Sequence, residues 1–463
     1  MFFMSIVTKS SASEQQSASK VDHFFKEHRI SSLLKKSNFS KECGFTCLQL
    51  LKFIFSLVFG QKNLYQTLNK EDETNRPGKD AVYRFLNSSR YNWRKFLLML
   101  SCGLIQSKIA PLTAKDRENV LIFDDSLFSR GRSKAVELLA NVHDHTTGRF
   151  VRGFRMLTLG WSDGNTFVPL CFSLLSSAKA DNRYTEMNDK IDKRSAGYRR
   201  RQESIQKSSE TLIDLLKQAL KAGAQASYVL FDSWFSFPAT IKKVREQGID
   251  VICMLKSMHR VYYAYEGQKY TLNSLYSAVR KKRGRAKILA SVIVSLGANE
   301  QNEDVQAKIV FVRDRRHKKK WLALLSTDLD LPDDEVVRIY GKRWDIEVFF
   351  KMTKSYLRLA KEFQGRSYDM MVAHTSIVFA RYMLLAMESR KTEDPRTLGH
   401  LFYVCCDEME DLKFASALLM LMDLFKAVAQ EVLILTEEKL QELFDKFTGS
   451  LPKYIKGLLA IPV

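Results

Sequence analysis

Nowhere in this chain do about 18 apolar residues follow one another uninterrupted, the length that a membrane-spanning helix needs. The apolar run 45–59 carries Lys52 and reads as a buried helix. The opening MFFMSIVTKSSASEQQSASK lacks the basic start, apolar block and small-residue cleavage site of an export signal, so a cytoplasmic protein with no membrane partner is expected. Cysteine is sparse as well. Seven are scattered through apolar surroundings, an odd number that suits a reducing compartment rather than a disulfide framework. Cys43 and Cys47, with His23 and His28 upstream, have the wrong order for a common zinc finger and read as structural. Internal repeats are missing too. Negative charge is in deficit: 52 Asp and Glu stand against 73 Lys and Arg, a net charge of +21. Such an imbalance calls for a polyanionic partner, most simply nucleic acid, with a membrane surface as its competitor.

What is present is enough apolar residue, 45%, for real cores, and a length of 463 residues, more than one domain's worth. Residues 1–20 are polar and Ser-rich, and a disordered tail is expected there. From 21 to 114 the pattern is helical, with Leu48, Leu51, Ile54, Phe55 and Val58 at helical spacing. A turn at Asn75-Arg76-Pro77-Gly78 precedes a short basic helix over 79–86. A recognition helix is presented that way, and so is a member of an ordinary bundle.

At Asn119 the pattern changes. Val120-Leu121-Ile122-Phe123 reads as a strand ending in Asp124-Asp125-Ser126. Strands follow at 151–161 and 166–174, joined by a turn at Asp163-Gly164-Asn165. A polar, basic stretch over 179–207 includes Arg199-Arg200-Arg201. Next come a helix at 212–222, a strand at 228–231 ending in Asp232-Ser233, a helix at 238–247 and a strand at 249–255. Further strands are expected at 261–272, 288–296, 305–312 and 321–326. Between them stand two basic runs, RKKRGRAK at 280–287 and RDRRHKKK at 313–320. They read either as solvated loops or as phosphate contacts through Arg280, Lys281, Lys282, Arg283, Arg315, Arg316, Lys318, Lys319 and Lys320. Residues 389–463 read as amphipathic helix, with Cys405 and Cys406 in its core.

Residues 333–361, DDEVVRIYGKRWDIEVFFKMTKSYLRLAK, read as one long helix whose first turn is acidic, as the helix dipole favours. Tyr340, Arg343, Glu347 and Lys354 follow at steps of 3, 4 and 7 residues. At 3.6 residues per turn they share an arc of roughly 60°. One face thus carries a phenol, a guanidinium, a carboxylate and an ammonium. The remaining residues, including Ile339, Trp344, Ile346, Phe349, Phe350 and Met352, call for burial on much of the other surface.

The spacing Tyr-x2-Arg-x3-Glu-x6-Lys, within IYGKRWDIEVFFKMTK, resembles the signature around the catalytic glutamate of the insertion-sequence-four family of bacterial DDE transposases. The resemblance covers roughly residues 115–390. It implies an α/β fold: a ribonuclease-H-like catalytic core over 115–388 with a β-rich insertion at about 257–330, a helical DNA-binding domain ahead of it at 21–114 and C-terminal helices after it. It implies catalytic and metal-binding roles for Asp125, Asp232 and Glu347, with two Mg²⁺ ions for which Mn²⁺ substitutes. Paired metal ions clamp the attacking and leaving oxygens of a phosphodiester, and carboxylates suit Mg²⁺. Arg343, Lys354 and Tyr340 would contact DNA. Trp321 reads either as a base-stacking residue or as a core tryptophan. His143 and His145 read as turn residues, with proton transfer or metal binding as the alternative.

Alternation along a strand sends Asp124 and Asp125 to opposite faces, so only one can readily join Asp232 and Glu347. In the family the first aspartate is commonly followed by a small hydroxyl residue, which favours Asp125 before Ser126. The function implied is cut-and-paste transposition: binding of terminal inverted repeats, metal-dependent cleavage and strand transfer into target DNA, by a synaptic homodimer. Two other classes compete: a transposase-derived DNA-binding protein without catalysis, and a hydrolase with paired carboxylates acting on a sugar. The complete set of carboxylates counts against the first, and the +21 charge against the second.

Overall fold

The computed structural model describes residues 20–61, 63–68, 76–114, 117–144, 148–282, 286–314, 320–391, 422, 425 and 437–450. The readings at 1–19, nearly all of those over 392–463, and those for Arg283, Arg315, Arg316, Lys318, Lys319 and His145 lie outside these residues.

Among the described residues a single mixed sheet of eleven strands organises the fold. β1 (Val120–Ser129) has Val120, Leu121, Ile122 and Phe123 wholly buried, as a strand covered on both faces requires. β2 (Ala140–Asp144) and β4 (Phe167–Leu175) both pair with β3 (Arg149–Ser162), which pairs antiparallel with β1. At the turn between β3 and β4, Gly164 takes φ +84°, while Asp163 Oδ1 accepts the N–H groups of Asn165 and Thr166 at 2.9 and 2.7 Å. β5 (Tyr228–Phe231) lies parallel to β1, and β6 (Asp250–Leu255) parallel to β5. The run β4-β3-β1-β5-β6 is therefore antiparallel on one side of β1 and parallel on the other.

The strands expected of the insertion do not form a separate layer. β11 (Trp321–Ser326) pairs with β6 and carries the sheet on through β10 (Asp304–Arg313) and β9 (Ile288–Ala298). The strand expected at 261–272 is instead a hairpin, β7 (Tyr263–Tyr265) and β8 (Gln268–Tyr270), followed by the helix Leu272–Ala278. Glu266 and Gly267 both take positive φ, the two-residue turn that matches strand twist.

The N-terminal helices, among them Cys47–Leu57, Lys79–Leu86 and Trp93–Leu104, pack on the helix Tyr368–Lys391, which also lies on β4. Buried apolar residues run from Val21 to Met387 in one continuous cluster. Two helices, Trp93–Leu112 and Tyr368–Arg390, are long and apolar enough on average to cross a membrane, although neither is an uninterrupted apolar run. The apolar window of the second is wholly buried inside the protein, and Arg381, a charge in its middle, is neutralised there. Arg381 donates to Glu362 at 2.6 Å and to the Ile54 and Phe55 carbonyls at 2.5 and 3.0 Å, and His374 meets the same carboxylate at 3.1 Å.

Candidate active site

Phe123 on β1 stands opposite Phe231 on β5, so the next residues, Asp124 and Asp232, leave the two parallel strands side by side. β1 does not end there. Its pairing with β3 continues to Ser129, which keeps Asp124 and Asp125 within the strand and on opposite faces.

The glutamate faces them from a helix that is not continuous. The expected single helix over 333–361 is two, Asp333–Gly341 and Trp344–Ser355. Between them the N–H groups of Lys342, Arg343, Asp345 and Ile346 bond three residues back, a tightened turn at the glycine of the segment. This turn is bolted to the sheet: Lys342 Nζ donates to the Glu118 carbonyl just before β1, and Ser162 at the end of β3 donates to Asp345 at 2.5 Å. Ile346, Phe349, Phe350 and Thr353 are buried, with the Phe349 ring 5.2 Å from Phe167 and 4.8 Å from Tyr382. Glu347 is left facing the aspartates, its side chain 41% exposed.

Arg343 stands between the carboxylates. Its Nη1 donates to Asp124 Oδ2 at 2.9 Å, and both terminal nitrogens lie 3.4 Å from Glu347 Oε1. Burial, with Asp232, Glu347 and Asp125 nearby, pushes the Asp124 carboxyl up to about 7 even though Arg343 opposes the shift. Burial works against the Arg343 charge too, but Tyr340, Asp124, Glu347 and Asp232 outweigh it and hold its pKa above the ordinary value. The Tyr340 hydroxyl is buried without a hydrogen-bond partner among the described residues, and burial pushes its pKa well up. Burial pulls the Lys354 ammonium down, against the pull of Asp144, Glu347 and Asp124. Despite the break in the helix, the four signature residues converge at one place.

Asp125, the residue the sequence favoured, has a different setting. Arg155 Nε and Nη2 hold both of its oxygens at 2.9 Å, and the same guanidinium lies 5.4 Å from the Trp234 ring. Trp234 in turn donates its backbone N–H to Asp232 Oδ1 at 2.9 Å. An open cleft of about 630 Å³ is lined by Asp125, Arg155, Glu347, Lys354, His143 and Asp144, among others. Sequence reasoning missed Arg155 and Asp144. An arginine set between Phe154 and Met156 in the apolar part of the strand was the available signal for the first, whereas β2, which carries Asp144, was not anticipated at all.

Register also places the described ends of the basic runs. Leu255 pairs with Ala323, and Arg313 with Trp321, so the loops entering β9 and joining β10 to β11 leave the sheet at the edge where β5 and β6 end. Arg280, Lys281, Lys282 and Lys320 are exposed at that edge. Trp321 is half-buried, stacked on Tyr276 at 4.5 Å and edge-on to Phe311 at 5.2 Å.

Among the described residues no three carboxylate, imidazole or thiol groups stand close enough to hold a metal ion in this side-chain arrangement. The donor set nevertheless suits a hard cation: oxygen ligands from Asp124, Asp232 and Glu347, with the Arg343 guanidinium as a stand-in positive charge between two of them.

No curated protein matches the chain. A solved structure, the Drosophila P element transposase strand transfer complex, is similar at 12% identity and a TM-score of 0.19, over 94% of this chain and 96% of that one. A family model described as DDE superfamily endonuclease matches residues 55–319, more than half of the chain and a span that holds both aspartate strands, so the chain belongs to the DDE superfamily endonuclease family.

Proposed function

We propose that this protein is a DNA transposase with a ribonuclease-H-like core, resembling the insertion-sequence-four type, which binds the terminal repeats of its element, cuts them and joins them to a target. The observation that carries the reading is the convergence of Asp124, Asp232 and Glu347 from two parallel strands and a facing helix, with Arg343 ion-paired between. The strand run β4-β3-β1-β5-β6 and the basic edge beside the carboxylates support it.

Asp124, Asp232 and Glu347 would hold divalent ions, Mg²⁺ or Mn²⁺, which when bound activate the attacking oxygen and stabilise the leaving one. Asp124 takes the place expected for Asp125. Arg343 pairs with both Asp124 and Glu347. On binding DNA its guanidinium would turn to a phosphate, which it can grip through two nitrogens. The buried, unpartnered Tyr340 hydroxyl would donate to a phosphate oxygen, and Lys354 would add a point charge beside Glu347. Asp125 serves as an anchor for Arg155 and, through it, for Trp234 beside Asp232.

The decisive experiment is nicking of supercoiled DNA by the purified chain in Mg²⁺, with Glu347→Gln as the comparison. The parent should nick, and the variant should lose orders of magnitude in rate while still binding DNA. Equal nicking by both would remove Glu347 from the site.

A further inference from the structure

A second cleft, of about 580 Å³, opens next to the carboxylate cleft and shares Ser129 with it. Its lining is cationic: Arg130, Arg132, Lys134 and Arg366, with Gln364 and the backbone around Gly131. Arg132, Lys134 and Arg366 are exposed, whereas Arg130 is only 9% exposed.

Arg130 is the informative member. It is the first residue after β1, and its Nη1 donates to the Ala360 and Phe363 carbonyls at 3.1 and 3.3 Å, tying the strand to the turn that follows the glutamate helix. Its Nε–H is buried with no acceptor, and among the described residues it has no carboxylate partner. Burial pushes its pKa down, with no neighbouring carboxylate to oppose the shift. Among the other deeply buried guanidinium groups of the described residues, Arg94 is neutralised by Glu203, Arg201 by Glu137 and Asp369, and Arg381 by Glu362, while Arg200 lacks an ion pair but lies in the field of Glu203. A buried cation lacking a counter-charge, under an open groove rimmed by three more cations, is a half-completed ion pair whose missing half is an anion.

We propose that Arg130, Arg132, Lys134 and Arg366 form a binding site for backbone phosphates of the DNA strand that runs on from the carboxylate cleft. Arg130 is the buried floor, and the other three are the rim. Six positions of extended chain separate Asp124 from Arg130, about 20 Å. At about 3.4 Å of rise per nucleotide, that places the contacted phosphates within about six nucleotides of the reacting one. The inference rests on the proposed function in one respect, that the chain acts on DNA.

The test is equilibrium binding of a fluorescent 30-base-pair duplex by the full-length chain in EDTA, across a range of salt. The triple variant Arg132→Gln, Lys134→Gln, Arg366→Gln changes exposed side chains and leaves Arg130 in place, and a thermal melt checks its fold. Losing three phosphate contacts should reduce the slope of log K against log salt by about 2 to 3. A parent that binds with a steep slope, and a folded triple variant whose slope is unchanged, would overturn the groove while leaving the proposed function standing. A parent with no salt-dependent DNA binding would overturn both. Competition with inorganic phosphate separates the remaining source. If the parent takes up phosphate saturably and the variant does not, with equal DNA slopes, the groove holds a small anion and the proposal fails. Arg130→Lys, which keeps the charge and loses the forked geometry, should weaken DNA binding with little change of slope; tighter binding would contradict its place on the floor.

Discussion

Two adjacent carboxylates, Asp124 and Asp125, differ in what each faces. Asp124 meets Arg343 and stands within the field of Asp232 and Glu347, whereas Asp125 is clasped by Arg155. Asp124→Asn should therefore abolish metal-dependent nicking, and Asp125→Asn should leave it measurable but reduced; both are read on supercoiled DNA with Mg²⁺ and Mn²⁺. Activity in the first and none in the second would return the role to Asp125. The raised carboxyl also fixes a pH dependence. Its folded value of about 7 lies above the ordinary value near 3.8. Between these the folded chain holds a proton that the unfolded chain has lost. Metal-free stability thus falls as pH rises from about 4 to about 7 and levels off beyond. A cation must displace that proton. Calorimetry of Mn²⁺ binding should show close to one proton released at pH 6 and almost none at pH 8.5, with affinity rising over the same interval. Proton release that does not change with pH would place the cation elsewhere.

Helices position the glutamate through contacts made far from it. Phe349 on the glutamate helix packs against Phe379 and Tyr382 on the helix Tyr368–Lys391, which is itself tethered to Cys47–Leu57 by Arg381. Arg381 and Glu362 are almost completely buried, so breaking the pair strands a charge. Arg381→Met should cost about 3 to 5 kcal/mol in chemical denaturation, the range for a buried pair that loses one partner. The double variant Arg381→Met, Glu362→Gln should recover part of this. A cost below about 1 kcal/mol for the single variant would mean that water reaches the pair.

For the whole molecule, the sheet decides where charge collects. β11 carries the sheet on from β6, so the described residues of the basic runs, Arg280, Lys281, Lys282 and Lys320, stand at the edge where the parallel strands end. Changing Arg280, Lys281, Lys282 and Lys320 together to Gln should weaken DNA binding and reduce the log–log salt slope by up to about 3 to 4. An unchanged slope in a titration of duplex DNA would make these exposed side chains solvated loops and nothing more. Their effect should add to that of the Arg132, Lys134 and Arg366 variant, since the two groups lie at different places on the sheet.

Local pattern by itself determined a good deal. Apolar runs bounded by turn residues placed β3, β4, β5, β6 and the start of β1 to within a few residues, and the 3-4-7 spacing put Tyr340, Arg343, Glu347 and Lys354 on one face. These features depend on neighbours along the chain, and periodicity records them. What depended on partners distant in sequence was not legible. The first strand was read as stopping at Asp124-Asp125, but pairing with β3 carries it to Ser129 and turns Asp124 toward the helix. The helix over 333–361 has unbroken periodicity, yet anchoring to Glu118 and Ser162 accompanies a tightened turn at Lys342 and Arg343. Arg200 and Arg201 look solvated in a basic stretch, but tertiary structure buries one against Phe172 and pairs the other with Glu137 and Asp369, 64 and 168 residues away. A charge's partner is set by which strands lie side by side, and no local pattern encodes that.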